Sequence, residues 1–370
     1  MCPRTKDTCS SGADDYNRPH PARLFGVALD VSDDPFSLQL KLASMWARQH
    51  GQRLHEDPYE AILEQLMVGR GRIEPAGRFP LPSWMGPMPQ PADRLLVTQE
   101  RMQKFLDDDG PFKLANEIRH FVANEILPEL PVMVGVDHSA TGGVVSALSE
   151  ALGPENLTVL VLDQHFDALP LSVRMESVLG KASVHPTGAK NLFHGPSGND
   201  RYCCGNFWAY LIDKGLVLPK RLLFIGVADY PAEETAPEWE TFRDAYLAFE
   251  EQGCSFFPLR EFQGPYEEGL ERFLSEKVTT PYVYVSLDLD VGAYRCVHAA
   301  RYMDRPGIEG KALHHIAHSI ARTCRSRRFR IAGLDVMEFN MHLLGITMKD
   351  GVEDTTVRVA CDFIRALTVG

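Results

Sequence analysis

The run Leu157-Thr-Val-Leu-Val-Leu-Asp163-Gln-His165-Phe-Asp167 constrains the fold more than any other part of this chain. An apolar stretch reaches Leu162 and ends at once in three metal-capable side chains at alternate positions. A bounded run of this kind reads as a strand of a parallel sheet buried on both faces. Residues two apart on an extended chain point to the same side, so Asp163, His165 and Asp167 converge on one point. Open α/β sheets bind ligands in the crevice beyond the carboxyl ends of their strands. The run therefore delivers two carboxylates and an imidazole to that crevice.

Similar runs recur. Strands are expected at 24–30, 131–136, 157–162, 222–227, 254–258, 282–287 and 330–336. Helices are expected at 36–50, with Pro35 in the first turn, at 58–67, and at 98–108 behind Thr98 as a cap. Further helices fall at 112–126 and near 141–152, 206–215, 239–251, 260–275, 309–323 and 354–367. Alternating strands and helices imply a three-layer α/β/α sandwich around a mostly parallel sheet. Residues 1–20 lack periodicity and read as a disordered tail, leaving 21–370 as one catalytic domain. Residues 70–95, rich in Gly and Pro, read as a long irregular excursion of the kind used for function or for oligomer contacts.

Composition narrows the partners. With 370 residues and a net charge of −12, the chain has no electrostatic attraction to nucleic acid or to an anionic membrane. No stretch of eighteen apolar residues exists to span a bilayer, and the polar, acidic start lacks a secretory signal. The eight cysteines have no regular spacing, so free thiols and a cytoplasmic location are expected.

Four strand ends carry acidic or histidine residues: Asp137-His138-Ser139, Asp163-Gln-His165-Phe-Asp167, Asp288-Leu-Asp290, and Asp335 with Glu338. Each alone is ordinary, because an Asp after a strand is commonly a cap or a turn residue. Together they crowd carboxylates into one crevice, which is costly unless a cation binds. His138, Asp163, His165, Asp167, Asp288 and Asp290 are too many ligands for one tetrahedral zinc and too oxygen-rich for a thiolate site. The set suits two hard divalent ions, Mn²⁺ foremost with Ni²⁺ or Co²⁺ as alternatives, sharing bridging carboxylates and activating a water.

Gly135-Val-Asp137-His138-Ser139, Asp163-Gln-His165-Phe-Asp167, Ser286-Leu-Asp288-Leu-Asp290 and Gly333-Leu-Asp335-Val-Met-Glu338 resemble, in order and spacing, the four motifs of the ureohydrolases, the arginase and agmatinase family. The resemblance covers roughly residues 130–368 and implies an arginase-like fold. It implies that His138, Asp163, Asp167 and Asp288 serve one manganese, and Asp163, His165, Asp288 and Asp290 the other. Asp163 and Asp288 would bridge. It further implies hydrolysis of a small cationic guanidino compound (agmatine-like, guanidinoalkanoate-like or a substituted guanidine), or of a formimino analogue, by a metal-bridging hydroxide. Asp167 would relay the proton of that hydroxide, and Glu338 would grip the guanidinium by charged hydrogen bonds. Relatives are commonly trimers or hexamers, so a homo-oligomer is expected, and a mixed assembly with a paralogue is compatible with the same features.

The chain departs from the family pattern in three places. Val136 replaces the second glycine of the first motif, and Ala293-Tyr294 stand where Asp-Pro is usual, so the loop 291–306 is built differently. The histidine that shuttles a proton to the leaving amine has two alignments: His194 in Asn191-Leu-Phe-His194-Gly195, or a position filled by Cys204 at the start of the next helix. The connection 168–203 is longer than usual and suits a lid. Its Tyr202, with Cys204 and Trp208 beyond it, offers a wall against a guanidinium through cation–π contact. The alternative for both rings is core packing. Two competing functions follow from the same residues: a single-zinc, deacetylase-like amidohydrolase on a related fold, and a non-catalytic or regulatory paralogue.

Overall fold

The computed structural model describes residues 21–51, 54–67, 73–169, 173, 201–231, 240–303, 306–349 and 351–368. Its strands are β1 (Ala22–Val27), β2 (Ile73–Arg78), β3 (Leu130–Gly135), β4 (Leu157–Leu162), β5 (Leu222–Ile225), β6 (Ser255–Phe257), β7 (Tyr282–Asp288) and β8 (Arg330–Met337). They form one sheet in the order β2-β1-β3-β8-β7-β4-β5-β6, every pairing parallel. The helices are α1 (Pro35–Gln49), α2 (Pro58–Met67), α3 (Gln99–Asp107), α4 (Gly110–Phe121), α5 (Thr141–Leu152), α6 (Phe207–Asp213), α7 (Glu240–Glu251), α8 (Glu267–Lys277), α9 (Gly310–Arg327) and α10 (Thr356–Thr368).

Strand alternation divides the core into two. On β4, Leu160 and Leu162 join a cluster with Ile62, Leu270, Ile316 and Ile364, from α2, α8, α9 and α10. Its alternate residues Val159 and Val161 join Ile118, Val144, Trp208 and Tyr246, from α4, α5, α6 and α7, on the opposite face. Both faces of the sheet are thus covered, which is the three-layer arrangement expected from the period of the sequence.

Local chemistry sets the element ends. Asp34 caps α1 by accepting the Ser37 N–H at 2.8 Å, and Thr98 caps α3 by accepting the Arg101 N–H at 3.3 Å. Several elements differ from expectation, β1 running over Ala22–Val27 where 24–30 is expected. Helix α8 begins at Glu267 because Pro265 disfavours helical backbone at Gly264, leaving a short 3₁₀ turn at Leu259–Gln263. Strand β5 stops at Ile225 because Gly226 turns left-handed at φ 98°. The 70–95 excursion contains the edge strand β2, which Pro75 and Gly77 concealed and whose pairing with β1 shifts register between Leu24 and Phe25. The expected tail at 1–20 and most of the long 168–203 connection, His194 included, lie outside the described residues.

The four strands whose ends carry the motifs, β3, β8, β7 and β4, are consecutive in the sheet. Three steps of about 4.8 Å separate β3 from β4, a span that side chains reaching inward from both ends can close.

Candidate metal centre

Three of the strand ends close with the same turn. Asp137 Oδ1 accepts the Ser139 N–H at 2.9 Å, Asp163 Oδ1 the His165 N–H at 2.6 Å, and Asp288 Oδ1 the Asp290 N–H at 2.9 Å. A carboxylate that bonds the backbone two residues on stops the strand without help from a neighbour. For Asp163 and Asp288 this leaves Oδ2 facing His138.

His138 Nδ1 is the focus. Asp163 Oδ2 lies 3.5 Å from it, Asp167 Oδ2 3.0 Å and Asp288 Oδ2 3.1 Å. All four side chains are buried, and their potential ligand atoms lie within 4.8 Å of one another. A second group, Asp163, His165 and Asp290, meets the same limit, with His165 Nδ1 2.8 Å from Asp290 Oδ2. Asp163 belongs to both groups; Asp288 belongs to the first. Asp163 and Asp288 each have Oδ1 held by their own turn, and Asp288 is close enough to Asp290 to be the largest charge acting on it.

The hydrogen bonds behind His138 fix its tautomer. Asp335 accepts from Thr141 Oγ1 at 2.6 Å, from Ser286 Oγ at 2.7 Å, and from the Tyr284 hydroxyl. With its proton committed to Asp335, Ser286 Oγ accepts from His138 Nε2–H at 2.9 Å. The lone pair of the neutral ring is thereby fixed on Nδ1, against three carboxylate oxygens. Positive charge at that point, or a proton on a carboxylate, relieves the repulsion. In the protein alone the proton supplies it: burial disfavours imidazolium, but Asp163, Asp167 and Asp288 outweigh burial and hold His138 well above its ordinary value. Burial, then Asp167 and Asp288, push Asp163 up to about 8. Burial, then Asp288 and Asp163, raise Asp290 well above the usual carboxylate range.

These residues fit divalent cations. Asp163 Oδ2 is buried and makes no hydrogen bond, and the donors are hard oxygens plus imidazole nitrogens. His138 is presented by its lone-pair nitrogen with its other nitrogen tied back, the usual arrangement behind a metal-bound histidine.

Glu338, just beyond β8, takes a left-handed backbone (φ 64°) that turns its side chain back over the β3 end. Its Oε1 accepts the His138 N–H at 2.9 Å, while buried Oε2 makes no hydrogen bond and lies 3.6 Å from Arg301 Nε. Burial, together with Asp288 and Asp137, raises Glu338 well above its ordinary value despite Arg301. Cys204 is brought beside it: Asp137, Cys204 and Glu338 have potential ligand atoms within 4.8 Å of one another. A Cys203 hydrogen bond and then burial hold the Cys204 thiol well above its usual value, so it stays protonated.

The aromatic wall requires correction. Trp208 is fully buried, and Tyr202 is buried with its hydroxyl donating to Ser139 O at 2.6 Å. Tyr202 packs against Phe112 and Tyr210, and the rings of Phe207 and Trp208 lie edge-on to the His138 imidazole at 5.0 and 6.3 Å. The apolar start of α6, Phe207, Trp208 and Leu211, is drawn into the core because α6 packs on α5, so these rings pack against the His138 imidazole. Sequence reading also missed the Asp335–Ser286 support and the Arg301–Glu338 pairing. The first was signalled by Ser286 lying two residues before Asp288, on the same side of β7; the second only by the unusual loop after Asp290.

The chain matches the arginase family model over residues 83–370. It is 25% identical over 272 residues to arginase 2, chloroplastic/mitochondrial, of Arabidopsis thaliana, covering 74% of this chain and 63% of that protein, somewhat under two thirds of its length. Among solved structures, the arginase from Bacillus caldovelox superposes with a TM-score of 0.58 at 17% identity, covering 95% of this chain and 99% of that one. Proclavaminate amidino hydrolase from Streptomyces clavuligerus gives 0.54 at 17% identity, over 95% and 92%. Trypanosoma cruzi formiminoglutamase with Mn²⁺ gives 0.55 at 13% identity, over 95% and 94%. The structural likenesses establish a shared fold.

Proposed function

Since this chain belongs to the arginase family, we propose that it is a binuclear-metal hydrolase that cleaves a C–N bond in a small guanidino or related amidine compound. The observation that carries the reading is the shared carboxylate: Asp163 joins the His138, Asp167, Asp288 group to the His165, Asp290 group. Two divalent ions, Mn²⁺ as first choice, would be held by these residues and would supply Lewis acidity and an activated water.

The remaining steps belong to the chain. Ser286 and Asp335 keep His138 Nδ1 available, so the ligand set needs no tautomeric change to bind. Asp167 lies at the rim of the first group, 6% exposed against 0% for Asp163, and is the carboxylate placed to accept a proton from an attacking water. Glu338 offers an unbonded Oε2 to the amidine nitrogens, whose N–H groups suit a carboxylate. Protonated Cys204 stands beside Glu338 as one source of a proton for the leaving amine; His194 is the other proposed source.

The test is reconstitution with Mn²⁺, Ni²⁺ and Co²⁺, followed by assay of urea and amine release across a panel of guanidines and formimino compounds. Two ions bound per chain with urea or formamide released is the expected result. A single tightly held zinc would point to the deacetylase-like chemistry, and two ions without turnover of any member to a non-catalytic paralogue.

A further inference from the structure

A file of four side chains of alternating charge runs from α1 to the carboxylate proposed to grip the substrate. Lys41 Nζ lies 3.6 Å from Asp30 Oδ2, Asp30 Oδ1 3.6 Å from Arg301 Nη1, and Arg301 Nε 3.6 Å from Glu338 Oε2. None of the four is more than 15% exposed. Each gap exceeds the roughly 3 Å of a closed N–H···O hydrogen bond. The Arg301 guanidinium therefore stands between two carboxylates and is hydrogen-bonded to neither.

The main chain fixes where this side chain starts and leaves its end to the charges. Arg301 N–H donates to Glu338 O at 2.9 Å, Asn340 N–H to Ala299 O at 2.8 Å, and Ala300 bridges Phe339 antiparallel. Residues 301 and 338 are thus held side by side whatever the guanidinium does. Further out, Nη1 donates to Val136 O at 3.3 Å and Nη2 to the Tyr302 hydroxyl at 2.9 Å. Both are neutral partners, so the carboxylates decide where the cation settles. Asp137 also acts on Arg301, after Glu338 and Asp30 in strength. Asp30 itself is anchored: Lys41 donates to Asp30 O, and to Gly86 O at 2.8 Å.

The consequence falls on Glu338. Its Oε1 accepts the His138 N–H at 2.9 Å, and buried Oε2 makes no hydrogen bond. A guanidinium of the chain itself stands just short of the atom that a substrate guanidinium needs. If that gap closed, Oε2 would be filled by an internal copy of the group it is to take, because a carboxylate pairs with any guanidinium fork in the same way. The opposing attraction of Asp30 keeps the gap open. A cation shared between two anions gains little by closing on one at the expense of the other; with one removed, it moves to the survivor.

We propose that Asp30 is a positioning residue: by pairing with Arg301 it holds that guanidinium off Glu338 and leaves Oε2 open to a cationic amidine. The inference rests on the hydrolase reading above for the role of Glu338. It adds to that reading a residue just beyond β1.

Butylguanidinium and its neutral isostere butylurea test it, by calorimetry on the Mn²⁺-loaded full chain. KM and kcat are read on any guanidine that is turned over. Asp30→Asn should weaken butylguanidinium binding about 10- to 100-fold, the usual contribution of a hydrogen bond to a charged group. Butylurea binding and kcat should stay near wild type, while KM rises in step with the lost binding. Asp30→Asn with Arg301→Gln should recover wild-type binding or better, because the internal competitor is gone. Asp30→Asn with Lys41→Met should repeat the first result without leaving a buried lysine unpaired, and melting temperatures check that every variant folds. Unchanged butylguanidinium binding in Asp30→Asn, an equal loss for butylurea, or no recovery with Arg301→Gln overturns the proposal. A wild type that does not bind butylguanidinium overturns it together with the role of Glu338. The expected binding pattern without hydrolysis of any guanidine sinks the hydrolase reading alone; hydrolysis without the Asp30 effect sinks the proposal alone.

Discussion

His138 Nε2 and Ser286 Oγ are 2.9 Å apart, and the hydrogen bond between them runs from the ring to the hydroxyl, because Ser286 gives its own proton to Asp335 at 2.7 Å. One serine thereby decides which nitrogen of the histidine meets the carboxylates of Asp163, Asp167 and Asp288. Ser286→Ala removes that control. Metal affinity measured by calorimetry near neutral pH should fall about 10- to 100-fold, the usual loss when such a support is removed. An unchanged dissociation constant would mean that packing by Phe207 and Trp208 orients the ring unaided.

Asp163→Asn addresses the shared carboxylate. One substitution removes negative charge from both groups, so tight binding at both positions and turnover should be lost together. Elemental analysis of the purified variant checks this. Two ions retained at wild-type affinity would rule out Asp163 as the link.

The metal-free protein should lose stability as pH rises. Asp163 is raised from an ordinary 3.8 to about 8, so the folded state holds its proton more tightly than the unfolded chain, and ionisation across that window destabilises the fold. His138 is raised well above 6.5. Its contribution is complete below that value and disappears as pH climbs through the raised one. Melting temperatures of metal-free protein should therefore decline from pH 6 to 8.5 as far as these groups govern them, and the gain on adding Mn²⁺ should grow over the same range. A gain that shrinks with pH would contradict the coupling.

Tyr202→Phe distinguishes packing from substrate contact. It leaves the buried Ser139 carbonyl without its 2.6 Å donor and should cost about 1–3 kcal/mol of stability by denaturant unfolding. KM for any guanidine should stay near the wild-type value. A raised KM with stability intact would return Tyr202 to the substrate pocket.

Cys204→Ala and His194→Ala identify the proton donor. The variant that keeps two metal ions but loses about 10²- to 10⁴-fold in kcat marks it. Loss in neither removes both candidates.

The motif order was readable because each metal-capable residue follows an apolar strand, and a spacing of two on extended chain dictates a common side. That argument holds within one strand end. It says nothing of Tyr202 and Trp208, whose aromatic character suits a binding wall and a core equally; only their burial between α6, α5 and α4 separates the two. Strand β2 escaped for a similar reason, since Pro75 and Gly77 are tolerated at a sheet edge and the sequence does not say where the edge is.

The parallel α/β layering, the six ligand candidates and the expectation of hard cations are legible in the chain, since these follow from local period and side-chain chemistry. The Nδ1 presentation of His138, the membership of Asp163 in both groups and the pairing of Arg301 with Glu338 emerge only once the chain is folded. Those depend on β3, β8, β7 and β4 lying side by side and on a loop pairing with the segment just beyond β8. Residues far apart in the chain meet there, and no local pattern records which atom of one will face which atom of the other.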